Sequence, residues 1–78
     1  MDTQERIVQF FVQKNKYDEN LKYDTDLLKS GYVNSLFALE IVMYLEKEFK
    51  IKIKRRDITN ENFSTINNMS ALVERLIK

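Results

Sequence analysis

The sequence has no cysteine, no histidine, no proline, no tryptophan and a single glycine, Gly31. Without cysteine no disulfide can staple the fold. Histidine and cysteine also supply the commonest general base, the thiol nucleophile and the strongest metal ligands, so their joint absence argues against an autonomous enzyme and against a metal site. Asp24 and Asp26 do not change this, because the remaining ligands of a calcium loop are missing. The longest uninterrupted apolar run, Ile41 to Leu45, is far below the roughly 20 residues that span a bilayer. Met1 to Glu5 lacks the basic start and apolar stretch of a secretion signal, which predicts a cytoplasmic protein with no membrane partner.

What is present is the composition of a soluble globular chain: 78 residues, 44% hydrophobic and 32% charged, with 13 Lys and Arg against 12 Asp and Glu. That length predicts one small domain over residues 1–78. A core of this size supplies only about 3–5 kcal/mol of net stability, leaving little for a preorganised catalytic pocket. The function is therefore expected to involve a partner.

Ile7, Val8, Phe10 and Phe11 recur at helical intervals, predicting a first helix from Thr3, a plausible cap, to about Asn15. From Tyr17 to Gly31 the spacing is irregular and rich in Asp, Asn, Thr and Ser, which favour turns. A loop this long in a compact domain has to be pinned, and Leu21, Tyr23, Leu27 and Leu28 are the expected pins. Helical periodicity returns from Ser35 to Phe49, with Asn34 and Ser35 both able to cap the first turn. Lys50 to Arg56 alternates isoleucine with cations, but no second segment could pair with it as a strand, so an irregular segment is predicted. One short helical turn over Asp57 to Phe63 and a last helix capped by Ser64 or Thr65, carrying Ile66, Met69, Leu72, Val73, Leu76 and Ile77, complete an all-α bundle of three long helices and one short one.

At 100° per residue Ala38, Ile41, Val42, Leu45 and Phe49 share one side of the second helix and are assigned to the core. Leu36, Leu39 and Met43 form a second strip, interleaved with the charged Glu40, Glu46 and Lys47. Periodicity alone leaves two readings open, a helix buried on two sides or one that offers an apolar contact surface.

The residues leading into this helix are Asp24-Thr25-Asp26-Leu27-Leu28-Lys29-Ser30-Gly31-Tyr32-Val33-Asn34-Ser35-Leu36. An acidic-Leu loop, a glycine and a Ser-Leu pair at a helix start resemble the modification site of acyl and peptidyl carrier proteins, and the likeness extends from the first helix through Ile51 and Ile53 to Phe63 and the last helix. It implies a small right-handed four-helix carrier bundle, monomeric and non-catalytic. It also implies that Ser35, flanked by Asn34 and Leu36, receives a covalent 4′-phosphopantetheine arm. Leu36, Leu39, Glu40, Met43 and Glu46 would then meet the partners: a phosphopantetheinyl transferase, an acyl- or aminoacyl-loading enzyme, and a downstream synthase, dehydrogenase or transferase.

Elementary electrostatics agrees, because unpaired N–H groups and the dipole at a helix start favour a phosphodiester there. Ser35 has no adjacent base, so an external transferase must activate it. The commoner family motif has Asp where this chain has Asn34. Asn34 to Glu40 is similar to stand-alone carriers of hydroxymalonyl, methoxymalonyl or aminomalonyl units in polyketide or nonribosomal-peptide assembly. The net charge of +1 also departs from the strongly acidic fatty-acid carriers.

Two rival readings come from other classes. A nucleic-acid-binding bundle is disfavoured, because isoleucines and not aromatics interleave the basic run at Lys50 to Arg56 and the whole chain is nearly neutral. An unmodified helical interaction module would keep the Leu36, Leu39 and Met43 surface and leave Ser35 bare.

Overall fold

In the computed structural model, which describes residues 2–77, four α-helices pack around one core: α1 Thr3–Gln13, α2 Ser35–Phe49, α3 Asn60–Phe63 and α4 Ile66–Leu76. A 3-10 turn, Arg55–Asp57, lies between α2 and α3. Each boundary has a local chemical cause. Asp2, not Thr3, caps α1: its backbone is extended and its side chain accepts the Glu5 N–H at 2.8 Å, so Thr3 becomes the first helical residue. The helix stops where Asn15 turns left-handed (φ 62°), a conformation Asn tolerates better than most side chains. Thr59 and Thr65 cap α3 and α4 by accepting the Asn62 and Asn68 N–H groups at 3.1 and 2.9 Å. The short turn expected over Asp57 to Phe63 is α3, and the 3-10 turn precedes it, with the extended cap at Thr59 between them.

The Lys50–Arg56 stretch contains no strand, as its lack of a pairing partner implied. Lys50 adopts φ 56°, and the Ile51 N–H folds back onto the Glu46 carbonyl. Ile53 is buried, Ile51 half-buried, and the lysines around them are exposed.

The core is shared by every segment. Phe11, Leu27, Ile41, Leu45, Ile66, Met69, Leu72 and Val73 are sealed from solvent. Phe37, which the helical strip left out, is also buried: its ring lies parallel to Phe10, centroids 5.8 Å apart, and meets Phe11 edge-on at 5.3 Å. Val8 and Ala38 are only half-buried, and Ile77, beyond the end of α4, is exposed. Of the expected loop pins, Leu21 and Leu27 are buried and Leu28 is half-buried. Tyr23 is exposed and acts through its backbone, its carbonyl accepting the Asn67 N–H at 3.0 Å. The Leu27 N–H reaches the Ser64 carbonyl at 2.7 Å, so two main-chain bonds stitch the long loop to the start of α4 and the residues before it.

Helices α1 and α2 are joined by an antiparallel ladder with a four-residue step on both. Lys14 pairs with Glu40 at 3.5 Å, the Phe10 ring stacks on Tyr44 at 4.3 Å, and the Arg6 guanidinium holds Glu48. The Tyr44 hydroxyl donates to the Arg6 carbonyl at 2.8 Å. Burial, reinforced by Glu48 and opposed by Arg6, raises the Tyr44 phenol above its ordinary 10.0. The folded protein therefore keeps that proton more tightly than the unfolded chain, so the stability it contributes is complete below the ordinary value and is lost as pH rises through the folded one. Tyr44→Phe should cost about 0.5–1.5 kcal/mol near neutral pH in denaturant melts. Above pH 10 the difference between the two proteins should shrink, because wild type alone loses this contribution.

Candidate functional site

Gly31 and Asn34 shape the entry to α2. Asp26 accepts the Leu28 and Lys29 N–H groups at 3.1 and 3.0 Å, tightening the turn that ends at Gly31. Gly31 has φ +82° with open space where a Cβ would stand, so a side chain there is opposed by backbone conformation and not by crowding. Val33 is buried and its N–H donates to the Leu27 carbonyl at 3.1 Å, anchoring the residues just before the helix. The Tyr32 hydroxyl donates to Asp18 at 2.6 Å, tying the same stretch to the far end of the loop. That carboxylate, chiefly through the hydrogen bond, holds the Tyr32 phenol above its ordinary value.

Asn34 is the cap of α2. Its side-chain oxygen accepts the Phe37 N–H at 2.8 Å and its carbonyl accepts the Ala38 N–H at 2.8 Å. The N–H groups of Ser35 and Leu36 remain at the helix end, facing outward. Ser35 is the first helical residue and is exposed, and α2 has no acidic residue in its first turn. An oxygen at this position therefore meets a positive partial charge that no neighbouring carboxylate offsets, the environment a phosphodiester needs. Asn34 provides the cap without the charge that Asp would bring.

Beside Ser35 lies an open groove of about 450 Å³ between α2 and the segment around α3. Ala38, Leu39 and Val42 form its α2 wall, and Ile58, Thr59 and Phe63 stand opposite. Sequence reasoning missed Ile58, Thr59 and Asn60 as neighbours of Ser35. Their only signal was the short turn before the last helix, whose position periodicity could not fix.

The five residues expected on the partner surface do not share one role. Leu36, Leu39 and Met43 are 68%, 58% and 68% exposed, which excludes the doubly buried alternative for α2. Glu40 faces α1 through its pair with Lys14 and keeps 41% of its side chain exposed. Glu46, expected on the partner surface, is half-buried: its carboxylate accepts the Ile53 N–H at 2.9 Å and holds the following loop. All three carboxylates of α2 (Glu40, Glu46 and Glu48) are thus engaged within the chain, and the outward face carries leucine, methionine and Lys47.

A family model described as "Phosphopantetheine attachment site" matches residues 5–73. The chain is similar to the D-alanyl carrier protein of Streptococcus equi subsp. zooepidemicus (strain MGCS10565), 28% identical over 76 residues that cover 97% of this chain and 96% of that protein. It is similar to the D-alanyl carrier protein of Streptococcus uberis (strain ATCC BAA-854 / 0140J) as well, at 29% identity over the same coverage. Among solved structures, a chain in the crystal structure of an FAD-dependent dehydrogenase superposes with a TM-score of 0.70 at 25% identity, covering 77% of this chain and 84% of that one.

Asn34→Ala should cost about 1 kcal/mol in thermal or denaturant melts and speed hydrogen exchange at the Phe37 amide, whereas Asn34→Asp should keep the cap.

Proposed function

The chain belongs to the phosphopantetheine attachment-site family, a carrier family whose 4′-phosphopantetheine is held covalently on a serine, and we propose that Ser35 is that serine. The observation that carries this reading is the placement of its hydroxyl, exposed on the first residue of α2, with two outward N–H groups and no acid in the turn. In attachment, the Ser35 Oγ attacks the β-phosphorus of coenzyme A. The new O–P bond replaces the pyrophosphate link, adenosine 3′,5′-bisphosphate leaves, and the serine proton passes to a base of the phosphopantetheinyl transferase. Asn34 and the first turn of α2 orient the hydroxyl. The group, once attached, supplies a terminal thiol that holds cargo as a thioester.

The cargo is a small acyl or aminoacyl unit, delivered between enzymes of a biosynthetic route such as polyketide or nonribosomal-peptide assembly. Extender units of the hydroxymalonyl, methoxymalonyl or aminomalonyl type fit the resemblance of the Asn34 to Glu40 segment. The dehydrogenase structure supports a client that oxidises the tethered unit, and the D-alanyl carriers support an aminoacyl cargo. Leu36, Leu39 and Met43 form the apolar face that these enzymes grip, each encounter brief enough for the carrier to depart.

Incubation with coenzyme A and a broad-specificity phosphopantetheinyl transferase should add the mass of one arm to the wild-type protein and none to Ser35→Ala, read by intact-mass spectrometry. An unmodified wild-type protein would leave the plain interaction module as the better description. Leu36→Glu and Met43→Glu, being at exposed positions, should shift stability by no more than about 0.5 kcal/mol while slowing loading of the holo-protein severalfold.

A further inference from the structure

Five of the 13 Lys and Arg residues fall in the seven positions Lys50 to Arg56, and all five are exposed. The rest of the chain holds eight cations against twelve carboxylates, a net of −4. The molecule is therefore an acidic body with one basic edge. Among the described residues, ion pairs join Arg6 to Glu48 and Lys14 to Glu40, and none reaches this segment. Its nearest acids in sequence have other tasks. Asp57 accepts the Lys54 N–H at 3.1 Å, Glu46 accepts the Ile53 N–H, and Glu48 belongs to Arg6.

The segment is also held in place, which distinguishes it from a loose solvated loop. Buried Ile53, the Glu46 bond, the left-handed Lys50 and the 3-10 turn fix its backbone from the end of α2 to Ile58 on the rim of the Ser35 groove. It leaves the end of α2 at Lys50, and Ile58, just beyond it, lines the same groove as Leu39 of the exposed strip. With every α2 carboxylate engaged internally, no free acid remains on that face to greet a basic partner.

We propose that this edge and the adjoining strip together dock an enzyme whose carrier-binding surface is acidic around an apolar centre, and that the enzyme is the one that loads cargo onto the arm. Positive charge around an apolar patch steers an acidic partner during encounter and fixes its register, and the apolar centre holds it. The assignment rests on the carrier reading above, because loading presupposes an arm on Ser35.

The test uses the intact holo-protein and its cognate loading enzyme, with thioester formation followed between about 0.01 and 1 M salt, over which the screening length falls from about 30 to 3 Å. Wild-type kcat/KM should drop at least tenfold across that range with kcat nearly constant. A quadruple variant, Lys52→Glu, Lys54→Glu, Arg55→Glu and Arg56→Glu, should melt within a few degrees of wild type, lose at least tenfold in kcat/KM at low salt, and show a reversed or flat salt response. A charge-conserving variant, Lys52→Arg, Lys54→Arg, Arg55→Lys and Arg56→Lys, should restore wild-type behaviour. Equal kcat/KM for wild type and the acidic variant at every salt concentration would overturn the proposal while leaving the carrier reading intact. A wild-type protein that accepts no arm defeats the carrier reading first and is detected by mass before any loading assay. Salt-sensitive binding of wild type to phosphatidylglycerol vesicles or to a mixed-sequence oligonucleotide, with loading unaffected by the acidic variant, would assign the edge to that polyanion and overturn the acidic enzyme.

Discussion

The rotational setting of α2 is the constraint on which everything else in this molecule depends. A 15-residue helix with apolar residues on two sides has no unique orientation from hydrophobicity alone. The ladder with α1 removes the ambiguity. Glu40, Tyr44 and Glu48 form a row that faces Lys14, Phe10 and Arg6, and Tyr44 is fixed a second time by its hydroxyl on the Arg6 carbonyl. Half-exposed ion pairs contribute little energy, but their spacing discriminates between rotations, because a turn of one residue would strand all three partners. Once the row is set, Leu45 and Ile41 point to the core, Glu46 meets the next loop, and Leu36 and Met43 have nowhere to go but outward.

Much of this was legible in the sequence wherever one periodicity or one side-chain preference governed. The four helices, the burial of Ile41, Val42, Leu45 and Phe49, the irregular Lys-Ile segment and the place of Ser35 at the start of α2 follow from spacing and capping chemistry. What was not legible depended on contacts between distant segments. Phe37 lies at the margin of the α2 core stripe and is buried only because Phe10 and Phe11 arrive from α1. Glu46 looked like a surface acid until a backbone N–H seven residues on required an acceptor. Thr3 lost the cap to Asp2 because the two residues compete for one site and carboxylate is the better acceptor near a helix start. The Ser35 groove needed Ile58 and Thr59, brought there by a chain reversal that no local pattern encodes.

Membership of a carrier family fixes the chemistry at one serine and leaves the choice of partners to the surface. That surface is unusual for its charge. Acids that could have faced outward from α2 are engaged by the chain itself, and five of the 13 cations gather on the exposed segment Lys50 to Arg56, which no ion pair reaches among the described residues. A fold can thus be kept while the sign of its outward field is altered, because the buried core and the capped helix start do not depend on which charges line the rim.

The two main-chain bonds from the long loop to Ser64 and Asn67 also bear on the order in which the protein becomes competent during synthesis. The turn that presents Ser35 is bound to residues more than thirty positions downstream, so a nascent chain that has exposed the serine still lacks the scaffold that holds the turn. The loop ahead of Ser35 therefore gains its two anchoring bonds only after the start of α4 has been synthesised, late in the making of the chain.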